Sequence, residues 1–403
     1  MMSAPLEGIK VISFGTGAVI PEWGKALGEL GADVIKIESR ENPDFARTIG
    51  PDMNNIHGVN ESNRSQRSFG VNLKKDKGKE IIRRLIKTAD IVGENFRGGA
   101  VGSLGVDYED VRRIKPDIIY ISSQGFGRGT PYSKYQAYGP MLAAASGVLS
   151  LWAHPDDPYP VGANVPLPDH MASKQAVFAV LAALDYRRRT GKGQFIDLCQ
   201  VEVAASLIGE YYLDYGINHR LAKKVGNRNP FAAPYNAYRC KGQDQWCAIS
   251  IFTNDEWQRF CTAIGNPEWT RDPRFADTVS RLKNVDELDR LVETWTVEHG
   301  PMEVMSTLQA AGVAAGMLQR AADTINDPHI KYTKALIELD HPVAGRRLYT
   351  NVPYKLSNTA LPPSTPAPLL GQHTEQICRE LLGMPAEEIR RLIQEGVLDV
   401  PPT

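Results

Sequence analysis

The sequence predicts an α/β fold: a large domain with a doubly wound parallel sheet of the Rossmann-like kind, and a smaller α+β domain. In the first half, short apolar segments alternate with helical patterns, and near residue 225 the pattern changes to closely spaced strands followed by helices. The length of 403 residues also exceeds what one hydrophobic core usually serves. We expect a large domain at 1–224, a small domain at 225–330, and a C-terminal segment at 331–403 that returns to the large domain.

The elements follow from the patterns in chain order. Residues 9–14 predict a buried strand, a turn at 15–17 leads into a helix at 21–30, and residues 34–37 predict the next strand, which together make a β-α-β unit. Later helices are expected at 77–87, 108–114, 169–190, 201–215, 255–264, 285–298, 302–311, 374–382 and 385–395. Later strands are expected at 91–92, 118–122, 194–198, 235–239 and 246–251. Residues 341–345 predict a turn, and the proline-rich stretch 362–368 predicts an extended connector.

Composition excludes several classes of protein. Basic and acidic residues number 46 and 47, a formal charge of −1, so no nucleic-acid or anionic-membrane partner is indicated. No uninterrupted run of 18 apolar residues and no signal-peptide pattern occurs, and five scattered cysteines favour reduced thiols over a disulfide framework. The expected location is the cytoplasm.

Three familiar sites are not predicted. The segment Gly15-Thr16-Gly17 follows a strand, but the third glycine of a dinucleotide-binding motif is replaced by Ile20, so NAD is not expected. The eight histidines show no metal-ligand spacing, so no metal is expected. No Gly-x-Ser-x-Gly pentapeptide indicates a serine hydrolase.

Two segments are candidates for binding an anion. The first is a basic run near a helix start, comprising Arg64, Arg67, Lys74, Lys75 and Lys77. The second, 95–99, follows a strand and contains glycines that let backbone N–H groups approach a ligand such as a nucleotide phosphate. The alternative for the charge run is a solvated surface.

Asp169 is the candidate catalytic carboxylate. Pro166 and Pro168 favour extended backbone before it, and apolar residues at near-helical spacing follow it, so Asp169 is expected at a helix start. Capping of free N–H groups there would favour its ionised form. The alternative is that Asp169 is simply a helix cap.

The order of short motifs along the chain resembles the family III CoA-transferases (the CaiB/BaiF type), which include formyl-CoA:oxalate, carnitine and aromatic-acid CoA-transferases and the α-methylacyl-CoA racemases. The matching segments are 5–11, 30–38, 67–68, 94–97, 104–105, 116–120, 125–127, 146–147, 169, 190–194, 232–235, 312–316, 327–329 and 371–373. The resemblance therefore spans nearly the whole chain. It implies coenzyme A, delivered as an acyl-CoA substrate, and an interlocked dimer.

The resemblance also assigns residues. Asp169 falls where the family carries a nucleophile that passes through an aspartyl–acyl anhydride and an aspartyl–CoA thioester. Arg67, Asn95, Phe96 and Arg97 match segments that contact coenzyme A. The family often places a basic residue against the adenine end of coenzyme A. Ser39 occupies that position in this sequence, and Arg40 follows it directly. The loop formed by Gln136, Ala137, Tyr138 and Gly139 matches one near the thioester.

Departures from the family bear on the substrates. Ala18 and Gly139 stand where formyl-CoA transferase has a catalytic glutamine and glutamate, which disfavours oxalate, and Tyr138 stands where the racemases have a general-base histidine. The first-strand motif and the region before Ser68 resemble members that act on benzylsuccinate with succinyl-CoA as donor, some of which pair with a related subunit lacking the aspartate.

The expected partners are thus a homodimer or a heteromer with a related subunit. Aromatic residues would allow a larger acid, or else belong to the core; they are Trp23, Phe45, Tyr138, Trp152 and Tyr159. The alternatives to CoA transfer are acyl-CoA racemisation or isomerisation, and a non-catalytic CoA-binding partner subunit.

Overall fold

The structure, a computed structural model, describes residues 4–159 and 165–401. Its strands are β1 (Lys10–Phe14), β2 (Asp33–Glu38), β3 (Arg67–Val71), β4 (Ile91–Glu94), β5 (Ile119–Gln124), β6 (Gln194–Cys199), β7 (Tyr235–Arg239), β8 (Trp246–Ser250), β9 (Ala314–Met317), β10 (Leu336–His341), β11 (Gly345–Thr350) and β12 (Leu398–Asp399). Its α-helices are α1 (Val19–Glu29), α2 (His57–Ser62), α3 (Asp76–Ile86), α4 (Ala100–Leu104), α5 (Tyr108–Ile114), α6 (Gly139–Ala145), α7 (Val148–Leu151), α8 (Leu167–Thr190), α9 (Gln200–Ser206), α10 (Gly209–Asn218), α11 (Asn254–Ala263), α12 (Thr278–Lys283), α13 (Val285–Thr296), α14 (Pro301–Ala310), α15 (Ala321–Asn326), α16 (Pro328–Thr333), α17 (Thr374–Glu380) and α18 (Ala386–Gln394). Short 3-10 helices lie at Phe45–Thr48, Glu268–Arg271 and Pro273–Phe275.

The predicted fold class is confirmed, because the central sheet has seven strands in the order β12-β3-β2-β1-β4-β5-β6. All neighbours are parallel except β12, which pairs antiparallel with β3 at one edge. The strand order reverses between β1 and β4, where Phe14 lies beside Glu94 in register. In open α/β sheets, ligands bind outside the carboxyl ends of the strands at such a reversal.

Each face of this sheet is covered by helices, as a buried parallel sheet requires. One face packs Ile91, Ile119 and Ile121 against Trp23 of α1 and Val180 of α8. The other face packs its own apolar residues against α3 and against the C-terminal helices α17 and α18. The alternation of β-strand side chains explains why one strand supplies both cores.

The described residues divide into two compact units. The first falls within Met1–Leu149, Gly162–Arg220 and Tyr332–Thr403, and the second within Ser150–Val161 and Leu221–Lys331. The second unit contains the antiparallel sheet β7-β8-β9 and a core around Trp257, Phe260 and Phe275. The sequence predicts that the small domain starts at 225, and it does not separate residues 150–159 from the large domain.

Several elements differ from the prediction. The helix expected at 201–215 is two helices, α9 and α10, interrupted at Leu207 and Ile208 before Gly209. Strand β3 was not predicted because Arg67, Ser68 and Gly70 interrupt its apolar pattern. Asp169 lies in the first turn of its helix, as expected for a helix start, although α8 begins two residues earlier, at Leu167. Among the described residues, no helix has the length and apolar character needed to cross a bilayer.

Candidate active site

The loop after β1 is held by a buried ion pair. Lys36 Nζ of β2 lies 2.7 Å from Asp44 Oδ2, and both side chains are fully buried. Lys36 Nζ also donates to the carbonyl of Gly15 at 3.0 Å. The other oxygen, Asp44 Oδ1, accepts from the backbone N–H of Gly17 at 2.8 Å and from the hydroxyl of Thr16 at 3.0 Å. Burial alone would raise the pKa of Asp44, but the Lys36 ammonium and these donors lower it below its ordinary range.

The Asn95 amide fixes the same loop from the end of β4. The backbone N–H of Thr16 donates to Asn95 Oδ1 at 2.9 Å, and Asn95 Nδ2 donates back to the Thr16 carbonyl at 2.8 Å. Phe96 packs against the hydrophobic core under the sheet. Arg97 is exposed, and its guanidinium makes no hydrogen bond or ion pair with any residue in 4–159 or 165–401. The segment 95–97 therefore combines a rigid anchor with one free cation.

Asp169 lies in the first turn of α8, but it does not cap that helix. The α8 N-terminus has no side-chain cap, and Asp169 Oδ2 is buried without a hydrogen-bond partner among the described residues. Burial raises the pKa of Asp169 to about 6, while the charge of His170 lowers it and that of Glu22 raises it further. The prediction that capping favours the ionised form is therefore wrong, because desolvation outweighs the helix start.

Gly139, the first residue of α6, covers this carboxylate. A Cβ atom placed on Gly139 would lie 2.0 Å from Asp169 Oδ2 and 2.7 Å from Pro166 Cβ. No other residue type fits there without moving Asp169. A longer side chain at position 139 would therefore displace the Asp169 carboxylate.

Two exposed aromatic rings meet at Tyr138, the residue before Gly139. Phe45 and Tyr138 meet edge to face with centroids 5.6 Å apart, and they are 41% and 48% exposed. Phe45 lies over Gly17, where a Cβ atom would come within 2.6 Å of its ring. These rings are therefore surface features rather than core, whereas Trp23 is fully buried.

Glu94, at the carboxyl end of β4, is fully buried. Its Oε2 accepts from the backbone N–H of Phe96 at 2.8 Å, and burial raises its pKa to about 7. On the adjacent strand, Gln124 is buried with both amide atoms lacking partners among the described residues. Glu94 thus shapes the turn that carries Asn95 and Phe96.

The remaining predicted contacts lie in different places. Arg67 starts β3, at the amino edge of the sheet, where its guanidinium holds both carboxylate oxygens of Asp33 at 2.8 and 2.6 Å. Arg40 follows β2 and is exposed. Its backbone N–H donates to Asp399 Oδ2 at 2.9 Å, and its guanidinium donates to the carbonyl of Val400 in the C-terminal segment. Gln136 is exposed, and Ala137 packs against Gly125.

The other members of the basic run are paired, so the run does not present a free anion site. Arg64 is buried and pairs with Glu29 and Glu61 at 3.3 and 3.2 Å. Lys74 pairs with Glu41 at 2.8 Å, Lys77 pairs with Glu80 at 3.0 Å, and Lys75 donates to the carbonyl of Glu395. In the described parts of the chain, no three His, Cys, Asp or Glu side chains are arranged to hold a metal ion.

Comparison with known proteins gives one consistent result. The profile of CoA-transferase family III matches residues 6–374. A probable CoA-transferase of Mycobacterium tuberculosis is 36% identical over 98% of this chain, which spans 51% of that relative's length. The succinate–glutarate CoA-transferase of Agrobacterium fabrum is 29% identical over 94% of this chain and 96% of its own. The crystal structure of a CaiB/BaiF family protein from Brucella suis superposes with a TM-score of 0.87, at 30% identity over 94% of this chain and 100% of that one.

Proposed function

The chain belongs to CoA-transferase family III, and we propose that it moves coenzyme A from an acyl-CoA donor to a carboxylic acid acceptor with Asp169 as covalent nucleophile. The observation that carries this proposal is the Asp169 carboxylate itself. It is partly buried, lacks a hydrogen bond on Oδ2, and is covered by a glycine, so it is desolvated yet mostly ionised at pH 7. A poorly solvated carboxylate is a better nucleophile than one in water.

The proposed reaction has four acyl-transfer steps. The ionised Asp169 attacks the donor thioester, which gives an aspartyl–acyl anhydride and releases CoA thiolate. The thiolate attacks the aspartyl carbonyl, so that the donor acid leaves as carboxylate and an enzyme–CoA thioester remains. The acceptor carboxylate attacks this thioester and again releases thiolate. The thiolate then attacks the acceptor acyl carbonyl, which forms the new acyl-CoA and regenerates Asp169. Positioning and exclusion of water are the protein's main contributions.

We place coenzyme A along the carboxyl edge of the sheet, from the loop held by Lys36 and Asp44 to the turn of Asn95, Phe96 and Arg97. Both segments lie at the strand-order reversal. Arg97 has a free guanidinium suited to a phosphate. Arg40 and Gln136 stay in the proposal as exposed contacts. Arg67 is left out of the proposed site, because its guanidinium is paired with Asp33 at the amino edge of the sheet.

For the acceptor, we propose an aromatic or dicarboxylic acid such as benzylsuccinate, with succinyl-CoA as a candidate donor. Phe45 and Tyr138 support an aromatic group, because the two rings are exposed and in contact, and Tyr138 directly precedes Gly139, which packs against Asp169. The similarity to an enzyme named for succinate and glutarate supports a dicarboxylic partner. The half-buried Phe126 and the exposed Tyr132 and Tyr135 form a second aromatic group in the loop that precedes Tyr138.

For the assembly, we propose the interlocked homodimer that the family resemblance implies. Helix α10 has no buried residue, and Leu213, Tyr215 and Ile217 are exposed along it. Phe178 of α8 is 71% exposed. Apolar surface of this extent in a single chain is typical of a subunit interface. Light scattering should give the mass of two chains; a stable monomer, or stability only with a related subunit, would contradict the homodimer.

Racemisation is the second candidate, since the family resemblance includes racemases that carry the same aspartate. Proton abstraction beside a thioester needs an acid and a base on opposite faces of the carbon. By the family resemblance, Tyr138 occupies the position of the histidine that serves as the general base in the racemases, so this chain lacks that base. Among the aromatic rings of the described residues, Tyr138 contacts only Phe45. We therefore place this activity second.

One experiment separates the candidates. The purified protein is incubated in D2O with succinyl-CoA and a panel of acids that pairs each aromatic dicarboxylate with an aliphatic one of equal length. Mass spectrometry should find new acyl-CoA species only when an acceptor acid is present. Deuterium at the α-carbon without any new acyl-CoA would indicate racemisation and contradict the proposal. Tyr138→Ala should weaken the use of aromatic acids selectively, and Tyr138→Phe should retain it.

A further inference from the structure

Helices α1 and α8 are joined next to Asp169 by a polar network centred on Glu22. His170 Nδ1 lies 2.7 Å from Glu22 Oε1. The Ser173 hydroxyl donates to Glu22 Oε2 at 3.2 Å, and Lys174 Nζ lies 3.6 Å from the same oxygen. The Glu22 side chain is 12% exposed, so the network lies at the edge of the interior rather than on the open surface.

The network favours a charged pair. Burial opposes ionisation of Glu22, but the hydrogen bond and charge of His170, with Lys174 and Lys25 nearby, lower the pKa of Glu22 below its ordinary value. The hydrogen bond to Glu22 in turn raises the pKa of His170, against the opposing effect of burial. The 2.7 Å contact between the His170 ring and the Glu22 carboxylate therefore favours the protonated form of His170 and the ionised form of Glu22.

His170 directly follows Asp169, the proposed nucleophile, in the sequence. No hydrogen bond joins His170 to Asp169, so the coupling between them is electrostatic. The charged groups that act on Asp169 are His170 from its own helix and Glu22 from α1. Tyr138, the titratable residue next to the covering Gly139, precedes α6.

We infer that His170, held by Glu22, is a positioning residue whose positive charge keeps the desolvated Asp169 carboxylate ionised and ready to attack. This inference rests on the proposed function, since it concerns the same nucleophile. Glu22 acts through His170: its carboxylate fixes the imidazole ring by one hydrogen bond and stabilises the protonated form of that ring. Because α1 directly follows the loop at 15–17, the network also ties Asp169 to the segment proposed to hold coenzyme A.

The test is the pH dependence of kcat/KM for CoA transfer, measured from pH 5 to 8.5. In the wild type, the rate should fall at acid pH as Asp169 is protonated. In H170Q the loss of a neighbouring positive charge should shift this acid limb to higher pH by about one unit. The corresponding loss of kcat/KM is about fivefold at pH 6, with little change at pH 8.

Two variants control for structural effects. H170K restores a cation and should return the acid limb to the wild-type position or below it. K174Q removes the same charge from the other oxygen of Glu22 and should leave the limb in place. A merely structural role for His170 would lower the rate at every pH without moving the limb.

The possible failures are distinguishable. If the wild type transfers CoA but H170Q keeps the wild-type acid limb, the inference is overturned while the proposed function stands. If H170Q does not fold, an acid limb of H170K above that of the wild type overturns the inference instead. If the wild type itself transfers CoA between no acids of the panel, the proposed function fails first.

Discussion

Gly139 leaves open the space that the carboxylate of Asp169 occupies. A Cβ atom at position 139 would lie 2.0 Å from Asp169 Oδ2, closer than any non-bonded contact permits. The two residues are 30 positions apart in the sequence, on α6 and α8, yet the absence of one side chain sets the position of the other. Position 139 therefore requires glycine while Asp169 keeps this position.

Replacement of Gly139 by alanine should therefore displace Asp169, the proposed nucleophile. We expect Gly139→Ala to lower kcat/KM by about a hundredfold, because a shift near 1 Å is enough to misalign an attacking group. Gly102→Ala in α4 is the matched control, since a Cβ atom there meets nothing within 4 Å. Steady-state kinetics would contradict the packing argument if the two variants had similar activity.

The Lys36–Asp44 pair should dominate the stability of the loop after β1. Asp44→Ala leaves a buried ammonium without its partner, which should cost about 3–5 kcal/mol in the free energy of unfolding. The double variant Lys36→Met with Asp44→Ala should recover part of this loss. Denaturant titration that gives a cost for Asp44→Ala below about 1 kcal/mol would show that the pair is not buried as described.

Glu94 should make stability depend on pH near neutrality. Its folded-state pKa of about 7 lies above the ordinary value of 4.5, so the folded state holds a proton that the unfolded state loses in this window. The neutral carboxyl of Glu94 contributes fully to the free energy of unfolding below pH 4.5, the ordinary pKa. This contribution, about 3 kcal/mol in all, is lost as the pH rises through about 7.

The variant Glu94→Gln keeps the neutral form at every pH and retains an acceptor for the Phe96 N–H. Its melting temperature relative to the wild type should therefore increase between pH 5 and pH 8. Glu109→Gln, at an exposed position of α5, should show a constant difference. A constant difference for Glu94→Gln as well would mean that Glu94 is ionised in the folded protein.

Arg97 and Arg67 should differ in their effect on coenzyme A binding. Arg97→Gln should weaken the affinity about tenfold, as expected for the loss of a charge-assisted contact to phosphate. Arg67→Gln should leave the affinity unchanged and lower the melting temperature, because it breaks the bidentate pair with Asp33. Calorimetric titration with coenzyme A that shows the reverse order would restore Arg67 to the binding site.

Much of the fold follows from local patterns. Strands β1, β4 and β5 were predicted from short continuous apolar runs, which are typical of a buried parallel sheet, and helix α3 from apolar residues at helical spacing. Strand β12 has two residues and pairs with β3 from more than 300 positions away, so no local signal identifies it.

The site was predictable only in part. The order of motifs pointed to Asp169, but its desolvation depends on Gly139 packing against it, which is a property of the folded chain. The pairing of Lys36 with Asp44 and of Glu22 with His170 was missed for the same reason. A lysine inside an otherwise apolar strand, as in 33–38, was the one available signal, because a buried ammonium requires a partner.

The most direct test of the account is to trap the carboxylate of Asp169 during turnover. The protein is mixed with acyl-CoA, treated with hydroxylamine or with borohydride, and digested for peptide mass spectrometry. The account predicts acyl-CoA-dependent modification at Asp169 alone, and its loss together with all transfer activity in Asp169→Asn, which should still bind coenzyme A. Full transfer activity in Asp169→Asn, or modification at another residue, would contradict it.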